Sequence, residues 1–142
     1  MIFNHKPLPR GLRNCNPGNI RRSSVRYKGE REECSDNAFR QFKSMAWGYR
    51  AMFVLLHTYA LHHNCISIRS IINRYAPPSE NNTENYIRRV ALATGINPSE
   101  RVDTLNGQTM TRIVSAMSEV ENGVPAVQND IAEGWRLFRA DF

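Results

Sequence analysis

No stretch of this 142-residue sequence is apolar for long enough to cross a membrane, since none approaches the ~18 residues such a helix needs. The first residues, MIFNHKPLPRG, lack the apolar core of a secretion signal, so synthesis in the cytoplasm without export by that route is expected. Cysteine is scarce. Cys15, Cys34 and Cys65 are an odd number with no Cys-x-x-Cys spacing, which argues against a disulfide framework and for reduced thiols. A phosphate-binding glycine loop, a Gly-x-Ser-x-Gly elbow and a His-Glu-x-x-His helix are all missing, and with them the chemistries those motifs carry. His62, His63 and Cys65 cluster, but His-His-x-Cys lacks the spacing of zinc frames and suits a helix C-terminus. No metal or other cofactor is therefore expected. Internal repeats and low-complexity segments are absent too.

What is present has the balance of a globular chain, 41% hydrophobic and 23% charged, of a length that suits one domain with a real core. The charge is unevenly placed. Residues 1–31 hold eight Lys and Arg against the single acid Glu30, a net +7, while the remainder holds eleven basic and twelve acidic residues. Such a block favours an anionic partner: nucleic acid, an acidic cell-wall polymer or a membrane surface. The bland alternative is a solvated basic face. Nucleic acid is the least favoured partner, because no aromatic interleaving or binding motif accompanies the charges.

Residues 1–9 read as an arm, with two prolines and no periodicity. Turn formers fill Arg10–Arg22. Short extended pieces near Ile20–Tyr27 and Ala38–Phe42 flank the GEREECSDN loop and predict a small β-hairpin, with Asp36, Glu30, Glu32 and Glu33 as solvated charges at its tip. Ser44 then caps a long helix to about His63, whose apolar residues Trp47, Ala51, Met52, Leu55, Leu56 and Tyr59 mark it as the central buried one. Ile68, Ile71, Ile72 and Tyr75 repeat on one face of the next helix, which Pro77 and Pro78 stop. Asn81, Asn82 and Thr83 can cap a helix that carries Tyr86, Ile87 and Val90 inward and ends at Gly95. Met110, Ile113, Val114 and Met117 stripe a fourth helix over Gln108–Asn122, and a fifth starts near Asn129 and buries Ile131, Trp135 and Phe138. The sum is a mainly α, α+β single domain over residues 10–142, with about five helices and a small hairpin insert.

Two carboxylates stand out. Glu121 falls on the fourth helix's apolar stripe in its last turn, where partial desolvation and the negative end of the helix dipole both raise a carboxyl pKa. A raised acid is what protonation of a glycosidic oxygen needs. The competing reading puts Glu121 at the stripe's edge, reaching water. Glu80 lies in the loop between the two proline-separated helices, beside Asn81 and Asn82, which can bind sugar hydroxyls or amides. Its alternative role is helix capping.

Three segments together resemble a lysozyme-like family of phage and prophage virion proteins. They are Arg-Gly-Leu-Arg-Asn-Cys-Asn-Pro-Gly-Asn-Ile at Arg10–Ile20, Phe39-x-x-Phe42 with Gly48-Tyr-Arg-Ala51, and Tyr75-Ala-Pro-Pro-x-Glu80-Asn-x-Thr83-x-x-Tyr86. Glu121-Asn-Gly123 followed by Asp130-Ile131 and Gly134 adds a fourth. The match covers nearly the whole chain in order. This chain departs from the family pattern at Cys15, where Asn is usual, and at Tyr27-Lys28-Gly29, where Trp-x-Gly is usual.

The Asn14–Ile20 loop and the Phe39-x-x-Phe42-x-Ser44 run also look like the segment after the catalytic glutamate in flagellar-type glucosaminidases, while the helix ending in Glu121-Asn-Gly looks like its counterpart in lytic transglycosylases. A lysozyme-like domain with permuted elements reconciles the two, and requires Glu121 to face the Asn16–Asn19 loop from within a groove.

The resemblance implies cleavage of peptidoglycan glycan strands, of muramidase or lytic transglycosylase type, at the cell wall or in a phage particle with other virion proteins as partners. Glu121 would be the general acid, Glu80 the alternative acid or partner, and Arg13, Asn16, Asn19, Asn81 and Tyr86 would hold the glycan. A non-enzymatic virion or wall-binding protein of the same fold is the alternative.

Overall fold

Ser44 opens the longest element of the chain, its hydroxyl accepting a 3.3 Å hydrogen bond from the Trp47 N–H and so satisfying an orphan donor of the helix start. The computed structural model describes residues 7–142. Those residues form six helices: α1 (Arg10–Arg13), α2 (Met45–His63), α3 (Ile68–Tyr75), α4 (Thr83–Thr94), α5 (Gly107–Asn122) and α6 (Gln128–Arg139). The four-residue α1 lies where turns were expected, and the other five stand where the periodicity predicts them. The arm expected over residues 1–9 falls mostly outside the described residues.

Local chemistry ends three of the helices. Asn64, Gly95 and Gly123 follow α2, α4 and α5 in the left-handed region, with φ of 52°, 71° and 73°. The cap of α4 is Asn82, whose side chain accepts from the Asn85 N–H, so Glu80 does not fill the capping role open to it. Thr83 instead turns its hydroxyl back to the Ala76 carbonyl, tying the start of α4 to the end of α3.

α2 runs through the centre. Tyr49, Met52, Phe53 and Leu56 are buried on it, and α6 lies along it. Gly134 permits that approach, since a Cβ there would stand 2.7 Å from Tyr49 Cβ and 2.9 Å from the Ala46 carbonyl oxygen. The Phe53 ring meets Trp135 edge-on at 5.0 Å and packs against Phe138. Ile68, Ile71 and Ile72 of α3, Ile87 and Val90 of α4, and Met110, Ile113, Val114 and Met117 of α5 complete one core. Each such side chain contributes about 1.5–3 kcal/mol on leaving water. None of these helices is long and apolar enough to cross a membrane.

The expected hairpin is corrected. Among the described residues there is no strand ladder, only the isolated antiparallel bridges Arg21↔Phe39 and Glu30↔Phe42. Side chains hold this segment instead. Asp36 receives Arg10 through Nε at 2.7 Å and a terminal nitrogen at 2.6 Å, Asn14 Nδ2 at 2.9 Å, and the N–H groups of Ala38 and Phe39. Arg40, almost fully buried, donates to the carbonyls of Arg21 and Val25, to Ser23 Oγ and to Glu30 at 2.9 Å, with Tyr27 against its guanidinium. Asp36 and Glu30 are therefore internal anchors and not solvated tip charges. The reason is physical: two short pieces with polar residues on both faces cannot bury a sheet face, whereas each anchor satisfies several backbone groups at once.

Candidate active site

The loop after α1 is locked by Asn16. Its Nδ2 donates to the carbonyls of Ile20 (2.9 Å) and Arg40 (3.0 Å), and its Oδ1 accepts from the Ile20 N–H (3.0 Å). The side chain is fully buried, so Asn16 shapes the loop from within and does not reach a ligand. Its effect is to turn Asn19 outward, at a φ of 49° that asparagine tolerates better than most residues. Gly18 is needed at the tip. The Tyr75 hydroxyl from the end of α3 donates to its carbonyl, and a Cβ at Gly18 would overlap that hydroxyl.

α5 delivers its C-terminus to the same loop. Asn122 Nδ2 donates to the Pro17 carbonyl at 2.8 Å, and in the preceding position Glu121 Oε1 accepts from Asn19 Nδ2 at 2.9 Å, a contact across 102 residues. The Glu121 carboxyl thus faces the Asn16–Asn19 loop. Burial pushes its pKa up from the ordinary value, and the hydrogen bond from Asn19 and the nearby Tyr86 hydroxyl pull against that shift. The Tyr86 hydroxyl is buried with no partner in good hydrogen-bond geometry, and burial first, then the Glu121 charge, hold it well above the usual phenol range. Tyr75 is raised for the same two reasons, in the same order.

Glu121 stands between two concavities. The larger, of about 480 Å³, takes Asn19, Arg21, Tyr27, Phe39 and Arg40 from the N-terminal segment, and Tyr59, Tyr75, Glu80 and Asn81 from the helical body. The smaller, of about 250 Å³, is formed by Asn81, Asn82, Asn85, Tyr86 and Val120. Glu121 and Asn81 line both.

Of the residues marked out in the sequence, Glu121, Glu80, Asn19, Asn81 and Tyr86 come together here. Glu80 is exposed on its loop, in contrast to the half-dry Glu121. Arg13, exposed at the end of α1, lines neither concavity, and Asn16 is the scaffold residue just described. Sequence reasoning missed Tyr75, read only as part of a core stripe, and Asn122, read only as the last residue of the fourth helix. Arg21, Phe39 and Arg40 were missed as well. The one available signal was Arg21 and Phe39 standing in the two extended pieces. Among the described residues, no group of three His, Cys, Asp or Glu side chains comes together as metal ligands.

A protonated carboxyl held in a partly dry wall, with amide groups beside it and open space on either hand, can deliver a proton to a bridging oxygen of a polar chain laid across it. No family model matches the chain. It is 42% identical over 130 residues to Protein P5 of Pseudoalteromonas phage PM2, an alignment that covers 89% of this chain and 79% of that protein.

Proposed function

For a chain that belongs to the family of Protein P5 of Pseudoalteromonas phage PM2, we propose that its work is to cleave the glycan strands of peptidoglycan, with Glu121 as the general acid. One observation carries this reading: a glutamate raised by burial, hydrogen-bonded by Asn19, in the wall shared by two concavities. In the reaction, protonated Glu121 gives its proton to the glycosidic oxygen as the bond to the anomeric carbon breaks. The carboxylate left behind faces the oxocarbenium-like centre and takes a proton from the attacking hydroxyl, which restores the acid. That hydroxyl is water's in a muramidase and the sugar's own in a lytic transglycosylase. Asn19 keeps the carboxyl aimed, and Asn81, reaching both concavities, is the residue best placed to hold the sugar on either side of the bond. Glu80, exposed on the same groove, is the alternative acid or the partner carboxylate.

Domain organisation follows the same reading, a single lysozyme-like domain over residues 10–142, acting at the cell wall or from within a phage particle. Clearing of peptidoglycan in a zymogram tests the mechanism. Glu121→Gln lowers the rate by about 10²–10⁴-fold, the usual size of a general-acid contribution, and Glu80→Gln by far less. Unchanged clearing by both variants removes the mechanism.

The family relationship supports a second reading, a virion component that keeps the groove without cleaving. Phage origin alone satisfies it, since the relative's name states no activity. Protein that sediments with sacculi but releases no muropeptides would decide for this reading.

A further inference from the structure

Two guanidinium groups lie over the Phe39 ring, that of Arg10 at 4.6 Å and that of Arg21 at 5.1 Å from its centroid. They differ in their partners. Arg10 is neutralised by the bidentate contact with Asp36. Arg21 has no carboxylate at ion-pair distance among the described residues, although its backbone is pinned by the bridge to Phe39 and by Arg40 Nε donating to its carbonyl at 3.0 Å. Arg21 also lines the groove that Glu121 lines. The other arginine of that groove, Arg40, is buried and spent on Glu30 and the backbone.

The groove therefore carries a fixed, uncompensated cation on the N-terminal side, and carboxyl and amide groups on the side of the helical body. We infer that the groove takes an acidic glycan, a sugar chain bearing carboxylates, and that Arg21 stacked on Phe39 is the residue that reads its carboxylate. This rests on the groove being a glycan site, as proposed above. A neutral glycan has no use for such a charge. A polyanion such as a nucleic acid would be set against Glu121 and Glu80 along the same groove. An acidic glycan suits both parts, with hydroxyl and amide groups at Asn19 and Asn81 and a carboxylate at the planar guanidinium, which matches it in a bidentate manner. Arg22 and Arg26, whose guanidinium groups among the described residues donate to the backbone carbonyls of Asp36 and Arg31, add to the local positive field.

The test is titration of the full-length Glu121→Gln chain, which binds without turnover, with a neutral N-acetylglucosamine oligomer and with an oligomer of equal length whose alternate sugars carry carboxylates. The acidic oligomer binds more tightly, and raising the salt erodes that advantage. Adding Arg21→Gln weakens the acidic oligomer about five- to tenfold and leaves the neutral one unchanged, while Arg21→Lys, which keeps the charge but loses the flat stack, falls between. Equal effects on both oligomers, no effect on either, or failure of both to bind overturn the inference. It falls equally if Arg21→Gln weakens binding of duplex DNA and not of the acidic oligomer. Because binding is read without cleavage, loss of the acid preference leaves the Glu121 mechanism standing, and a chain that never cleaves can still show the preference.

Discussion

The N-terminal segment from residue 10 to 43 and the helical body that follows it are built on opposite principles. The helical body is held by apolar area: Phe53, Leu56, Ile71, Ile113 and Phe138 are closed from solvent and belong to one core drawn from four helices. The segment has few such residues, chiefly Ile20 and Phe42, and is held by Asp36, Arg40, Asn14, Asn16 and Gln41. Apolar packing is non-directional and forgiving of small shifts, whereas these polar anchors fix particular atoms at particular distances. The groove lies where the two meet. The body supplies a half-dry place for an acid, and the segment supplies the amide donor and the cation that line the groove beside it.

Three experiments sharpen or break this contrast. The largest effect is expected from Phe138→Ala, which empties the junction of α2 and α6. A loss of about 3–5 kcal/mol in denaturant unfolding follows from a large-to-small change at a fully buried aromatic. Next comes Arg40→Met, which leaves Glu30 with its Arg partner gone and three further loop contacts unmade. It costs about 2–4 kcal/mol, and Arg40→Met with Glu30→Leu costs less than Arg40→Met alone, because no unpaired charge then remains. Amide exchange should quicken over residues 20–43 while the α2 amides stay protected. If both regions open together, the two do not form separate anchoring systems.

The smallest effect separates the two carboxylates by pH. Asp36 is held well below its ordinary value of 3.8, first by Arg10 and then by the N–H groups of Phe39 and Ala38. Its contribution is complete above that ordinary value and is lost as pH falls, so the N-terminal segment should loosen in acid before the helical body does. Glu121 has the reverse sign. With its pKa raised in the folded chain, the folded state holds the proton more tightly than the unfolded one, and stability falls as pH rises through the raised value. Glu121→Gln should therefore stabilise the protein at pH 8 and much less at pH 4, read as the difference in thermal midpoint between variant and parent. A variant equally stable at both pH values would mean that the acid is not desolvated.

Most of the helical frame was legible in the sequence. Ser44, Gly95 and Gly123 stand at helix boundaries because capping is chemistry among neighbours three or four residues apart, which a linear pattern records. Glu121 could be placed on an inward stripe for the same reason. The hairpin expectation failed because alternation in two short pieces says nothing about whether a ladder forms, and here the pairing stops at two bridges. Asp36 and Glu30 were misread because their partners are not local: Arg10 lies 26 residues from Asp36.

By itself, then, the sequence determined where the helices start and stop, which faces turn inward, and that one acid falls in the last turn of a helix, since all of these are set by contacts within a turn or two. Only the tertiary structure decided what that acid faces. Asn19 meets Glu121 across 102 residues and Asn122 meets Pro17 across 105. Pairings at that separation depend on how the whole core closes, and closure is a property of packed volume rather than of any local run of residues.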